Sequence, residues 1–309
     1  MSQSHLLVRR IRVAIPDLVL DLLSNRYVWV VPVLLTLVGL TIFPFVYLVY
    51  LSTHEWSLLL ETQRFFIGLD NYRNLFGNGS FHVALRNTGI FVVLGVGIQM
   101  ILGTAIAVYI HFRIPERWQG LIQTSLLFPM MISYVAVALL WRFMWSGSLG
   151  FINYLAISVG LPPQDWLGDP TMSLVTIIVA DIWQWTPFVI LVALAGLQGI
   201  PRDILEAAKM DGARRFTMFR HIIFPLIKPV LLVVLLFRIA DAYRVFDKVF
   251  LMTGGGPGES SLVLSLLIYR TSFQNGRFGL AAAMSVIMLI IISIVAFVLV
   301  SQARKMEVL

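Results

Sequence analysis

Six side chains mark themselves out for chemistry because they stand in stretches that are otherwise apolar: Asp181, Trp185, Arg238, Asp241, Arg244 and Lys248. An ionisable residue at membrane depth is costly, so each is a functional candidate by default. With one helix over about Val230 to Leu251, Asp241, Arg244 and Lys248 fall at i, i+3 and i+7 on one stripe, and Arg238 lies about a sixth of a turn away. Asp181 and Trp185 share a face at i, i+4. The set suits hydrogen bonding and aromatic stacking to a hydroxylated solute in a water-filled path. It also supports a structural reading. Asp241 neutralises Arg238 or Arg244 across one turn, Lys248 snorkels outward, and Trp185 packs at a bend made by Pro187.

No covalent chemistry is visible. The histidines His5, His54, His82, His111 and His221 are scattered, none at metal-ligand spacing with another, so no metal is expected. The run Gly254-Gly255-Gly256-Pro257-Gly258 lacks the Gly-Lys-Ser/Thr ending of a phosphate loop and reads as a tight turn. With no nucleophile and base pair, the chain is expected to have no catalytic residue, to be no enzyme and to bind no cofactor.

The other polar concentration is a charged interval between apolar runs. Asp203, followed three residues later by Glu206, reads as a helix start, and Gly212 lets the backbone leave that helix in a left-handed conformation. A second short helix follows, with Phe216, Phe219 and Ile223 on one face, and Pro225 and Pro229 close the segment.

The elements that must position these residues are membrane spans. The chain of 309 residues is 59% hydrophobic and 13% charged, with no cysteine. A soluble fold needs far more polar surface, so the sequence predicts an all-α polytopic membrane protein. Six spans are expected, at about residues 28–50, 87–112, 121–145, 171–198, 230–251 and 280–300. The second carries Gly89, Gly95, Gly97, Gly103 and Ala105, small residues that allow close helix approach. In the third, Trp141, Arg142 and Trp145 read as a headgroup-depth cluster. Residues 1–27 have no cleavage pattern and read as an inner segment with an interfacial stretch, and 304–309 as an inner tail.

The net charge of +7 is divided among short intervals, which argues for membrane topology and against nucleic acid. With both termini inside, the inner segments hold fourteen Lys and Arg and the outer loops five. The positive-inside rule therefore puts both termini and the interval 200–229 in the cytoplasm.

Within that interval Glu206-Ala207-Ala208, then Gly212, then Ile222-Ile223-Phe224-Pro225 after nine residues, resembles the EAA loop of the membrane subunits of bacterial ABC importers, with Phe224 where that family usually has Leu. Phe66 to Tyr72, Pro129, Trp183 to Pro187, Thr253 to Pro257 and Phe278 to Ala283 are similar to segments of the carbohydrate-uptake permeases. The resemblance implies a type I importer permease fold, with a six-helix domain over 28–303. It implies that Glu206, Ala207, Ala208, Asp211, Gly212, Arg214 and Arg215 couple the chain to an ATPase. ATP and Mg then belong to two copies of a cytoplasmic ATPase chain. A second homologous permease completes a heterodimer in the bacterial inner membrane, and an extracytoplasmic binding protein delivers the solute. The competing reading is an ion-coupled carrier or channel that works without an ATPase, since charges in span five suit such a protein.

Overall fold

A computed structural model of the chain describes residues 26–57, 61–147 and 149–307. The expected interfacial stretch within 1–27 lies outside the described residues. The order of elements is α1 (Val30–Ser52), a hairpin of β1 (His54–Ser57) and β2 (Glu61–Phe66), α2 (Asp70–Phe76), α3 (Gly79–Arg113), α4 (Glu116–Met131) and α5 (Tyr134–Met144). Then come α6 (Phe151–Ser158), α7 (Met172–Gln198), α8 (Arg202–Met210), α9 (Arg215–Ala242), α10 (Asp247–Met252), α11 (Leu264–Tyr269) and α12 (Phe278–Glu307). Among the described residues α1, α3, α7, α9 and α12 are long and apolar enough to cross a bilayer, and α4 and α5 meet the same test when the bent pair is counted as one span.

The third span, expected over about 121–145, is broken into two helices. Its two helices meet at 88°, with the break after Met131 and not at Pro129. Ser133 starts α5 by accepting a hydrogen bond from the Ala136 N–H. The Ile132 carbonyl freed by the break accepts one at 3.1 Å from Gln184 Nε2 on α7. Trp141 is buried, stacked on Trp145 and edge-on to Trp183, so it is core and not a headgroup anchor.

Span five is also revised. Pro225 and Pro229 do not close the polar segment, because the helix that starts at Arg215 runs through both of them to Ala242. A wide π turn over Phe219–Ile223 precedes Pro225, and another over Val38–Ile42 precedes Pro44. Proline has no N–H for the turn behind it and its ring crowds the carbonyl there; the extra residue of a π turn makes room. The same turn breaks the expected Phe216, Phe219 and Ile223 face: Met218 and Ile223 are buried and Phe216 is exposed. At its C-terminal end the helix stops at Ala242, and α10 is a separate element. The last helix continues through Arg304 and Lys305 to Glu307.

Two apolar clusters form the core. One gathers Phe81, Phe91, Val137, Ile177, Ala242 and Leu264 with their neighbours; the other gathers Ala107, Ile190, Leu194, Leu205, Ile223 and Ile227. Of the small residues on α3, only Gly103 requires its size, since a Cβ there would lie 2.6 Å from Val189 Cβ on α7. Ala105 faces outward. On the expected outer side, Asn71 donates to the Ser52 and His54 carbonyls at 2.9 and 3.0 Å and ties α2 to the end of α1. Asn87 donates to the carbonyls of Glu259, Ser260 and Leu262, and Arg270 donates to that of Gly254. The glycine-rich run is thus a tight turn, with Gly254, Gly255 and Gly258 at positive φ.

Candidate functional site

Between the two apolar clusters lies a polar layer. Gln99 on α3, Asp181 on α7 and Arg238 on α9 each fall in the sequence interval that separates one cluster's residues from the other's. All three are buried, so their polar atoms must find each other. Asp181 Oδ2 accepts from Arg238 Nη2 at 2.9 Å and from Gln99 Nε2 at 2.8 Å, and Gln99 Oε1 accepts from Arg238 Nε at 2.9 Å. Asp181 Oδ1 accepts from Lys248 Nζ at 2.5 Å. Arg238 Nη1 reaches Asp241 Oδ2 at 2.6 Å.

This arrangement corrects the single stripe expected on span five. Lys248 belongs to α10, and after the turn that follows Ala242 it is buried, 2% exposed. It does not snorkel. Arg244 is exposed, its Nε donating to the Ala240 carbonyl at 3.1 Å. Asp241 does neutralise Arg238 across one turn. Trp185 lies under that guanidinium, 4.6 Å from ring centroid to Cζ, in cation–π contact. Its Nε1 and the Oε1 of Gln184 are buried without a hydrogen-bond partner among the described residues. A cavity of about 210 Å³ opens beside the layer, lined by Tyr134, Asp241, Arg244, Asp247 and Lys248. Tyr134 sits at the kinked start of α5, its ring 5.4 Å from Lys248 Nζ and its hydroxyl 3.5 Å from Asp241 Oδ1.

The sequence reading misses Gln99 and Tyr134. A lone amide in the apolar run around Ile98 and Met100 is the signal that would find Gln99. Tyr134 depends on the break in the third crossing, which has no local signature beyond Ser133.

The charged interval forms α8, a turn and the start of α9. Pro201 precedes α8 and no side chain caps it, so Asp203 and Glu206 mark the start without the hydrogen bonds expected of them. At the other end Ala213 N–H donates to Ala208 O and Gly212 N–H to Lys209 O, both at 3.0 Å, with Gly212 at φ 76. That pair is a Schellman motif, and it needs the left-handed residue at Gly212. Glu206, Ala207, Asp211, Gly212, Arg214 and Arg215 are exposed together at one end of the molecule, except that Ala213 beside them is half-buried. Ala208 is buried against the core with Leu205, so it seats the loop and offers no surface.

The pattern of the binding-protein-dependent transport system inner membrane components matches residues 99–308. The chain is 34% identical over 266 residues to the trehalose/maltose transport system permease protein MalF of Thermococcus litoralis, covering 86% of this chain and 89% of that one. It is 32% identical over 272 residues to the trehalose transport system permease protein SugA of Mycobacterium tuberculosis, covering 88% and 86%. A crystal structure of a bacterial ABC transporter that imports the acidic polysaccharide alginate contains a chain with the same fold, TM-score 0.80 at 24% identity, covering 94% of this chain and 99% of that one. A second alginate transporter structure, in complex with a periplasmic protein bound to an alginate pentasaccharide, gives 0.76 at 26%, covering 94% and 96%. These relatives are transport subunits and not enzymes. The chain belongs to the inner membrane components of binding-protein-dependent transport systems, as a sugar-type ABC importer permease subunit.

Proposed function

We propose that the chain pairs with a second permease and two copies of a cytoplasmic ABC ATPase, receives solute from an extracytoplasmic binding protein, and passes an uncharged, hydroxylated solute by alternating access. Both termini and the α8–α9 turn face the cytoplasm, as the distribution of Lys and Arg favours. The exposed group from Glu206 to Arg215 is the surface through which ATPase closure moves the helices, and ATP and Mg stay in that partner.

The solute class rests on one observation. Asp181 already ties Arg238 to Lys248, and Arg238 is matched a second time by Asp241. The cavity wall also carries Asp247 and the exposed Arg244, whose Nε donates to the Ala240 carbonyl, so among the described residues that line it no buried cation is without a carboxylate. What remains on the cavity wall are the Tyr134 hydroxyl and the Asp241 carboxylate, which suit sugar hydroxyls. The named substrates of two relatives, trehalose and maltose, are of that kind.

The test has two steps. A tagged copy purified gently from its native membrane is expected to bring an ATPase and a second six-helix permease; the chain alone, active in ATP-free liposomes, would instead establish a carrier. The reconstituted complex is then offered a neutral oligosaccharide and a uronate of equal length. Preferential uptake of the uronate would refute the solute assignment.

A further inference from the structure

Two grooves flank α8, and they differ in kind. One, lined by His111, Glu116, Arg202 and Glu206 among others, mixes both signs of charge. The other, of about 610 Å³, runs between α3 and the start of α9. Ala105, Val108 and Phe112 line it at i, i+3 and i+7 on α3, facing Phe219 and Ile223. Arg113, Lys209 and Arg215 also line it, all three exposed, and no acidic side chain does so among the described residues.

The three cations lie at the membrane edge, because Arg113 ends α3, Arg215 starts α9 and Lys209 is on α8 just beyond the end of α7. Ala105 lies eight residues from Arg113 along α3, so the apolar floor extends about 12 Å into the bilayer from the charged end. A soluble partner does not reach that depth. An amphiphile with an apolar tail and an anionic head matches both parts of the groove, and basic pockets between membrane helices recognise such lipids. The size falls in the range of about 300–1,000 Å³ typical of single-ligand sites.

We propose that this groove holds one anionic phospholipid from the leaflet on the α8 side, with an acyl chain along α3 and its phosphate among Arg113, Lys209 and Arg215. Lys209 and Arg215 stand on either side of Gly212. The phosphate therefore fastens the α8–α9 turn to the end of α3, and the turn becomes more mobile when the lipid is lost. The site needs neither the solute assignment nor the ATPase partner, so its failure would leave those readings untouched.

The test uses the purified full-length protein with its accompanying subunits, delipidated and titrated with dioleoyl phosphatidylglycerol or dioleoyl phosphatidylcholine, with retained lipid counted by native mass spectrometry. One phosphatidylglycerol per copy is expected, undisplaced by phosphatidylcholine. Arg113→Gln is expected to weaken it about fivefold and Arg113→Gln with Lys209→Gln about 25-fold, at about fivefold per cation. Ala105→Trp fills the groove and leaves every charge in place, and it should also reduce retention. Equal retention by wild type and all variants would overturn the site. Displacement by soluble glycerol 3-phosphate would overturn the lipid in favour of a free phosphate. Since the chain has no cysteine, Tyr109→Cys gives a unique thiol, and its cross-linking to a second permease would overturn the lipid by showing that a protein helix fills the groove.

Discussion

Replacing Asp181 by Asn is the most informative perturbation of the polar layer. The change keeps the shape of the side chain and removes the negative charge that both Arg238 and Lys248 face. At an effective dielectric of about 20, opposite charges about 3 Å apart attract by about 5–6 kcal/mol, and desolvation of the buried groups offsets much of this. Arg238 retains Asp241 at 2.6 Å, whereas Lys248, 2% exposed, loses the one carboxylate it is hydrogen-bonded to among the described residues and keeps at most a neutral amide oxygen. Leaving one buried charge unmatched costs about 3–5 kcal/mol, so Asp181→Asn should destabilise the protein by that amount. Lys248→Met removes the stranded cation and supplies a similar apolar volume. The double variant Asp181→Asn with Lys248→Met should therefore be more stable than Asp181→Asn alone, with a coupling of about 2 kcal/mol or more in the cycle. The assay is denaturant unfolding in mixed micelles, followed by tryptophan fluorescence across the four proteins. Additive effects, within about 0.5 kcal/mol, would refute the claim that Asp181 holds α10 to α7 through Lys248.

A Cβ at Gly279 would lie 2.0 Å from the His54 carbonyl oxygen, so Gly279→Ala must push α12 away from β1 and is expected to destabilise by about 1–3 kcal/mol, read in the same unfolding assay. Gly212 is at φ 76, and a methyl group placed there would meet nothing within 4 Å, so the penalty of substitution is conformational and not steric. Gly212→Val should cost about 1–2 kcal/mol and reduce solute-stimulated ATPase activity of the assembled importer, while Gly212→Asn, which tolerates that conformation, should retain more of it. Asp169 caps the start of α7, accepting from the Thr171 hydroxyl and from the Thr171 and Met172 N–H groups, and these bonds hold its carboxyl below the usual range. Its folded value is depressed, so the contribution is fully present above the ordinary carboxylate value of about 3.9 and is lost as pH falls through the lowered one. Amide exchange at Thr171 and Met172 should accelerate over that acidic interval relative to Asp169→Asn, and an unchanged ratio would remove the cap from the account.

The membrane class and the long apolar helices were legible because they depend on the length and polarity of runs, which local composition carries. The glycine turn was legible for a similar reason: a left-handed residue after a charged helix is a local requirement, and Gly212 meets it. Helix limits were less so. Pro225 and Pro229 look like stops, yet a π turn absorbs the first and α9 continues; wide turns depend on tertiary packing and leave no residue code.

By itself the sequence determined that Asp181, Arg238, Asp241 and Lys248 are charges in an apolar setting, and that such charges must be matched. Which charge matches which was decided by the tertiary structure. Asp181 and Lys248 are 67 residues apart, and Asp181 and Gln99 are 82 apart. Their meeting depends on the α3–α7 contact at Gly103 and on the break after Ala242 that takes Lys248 off the α9 stripe. Helical periodicity orders residues on one rod, whereas a buried charge is satisfied by whatever neighbouring rods bring to it, and only packing fixes that.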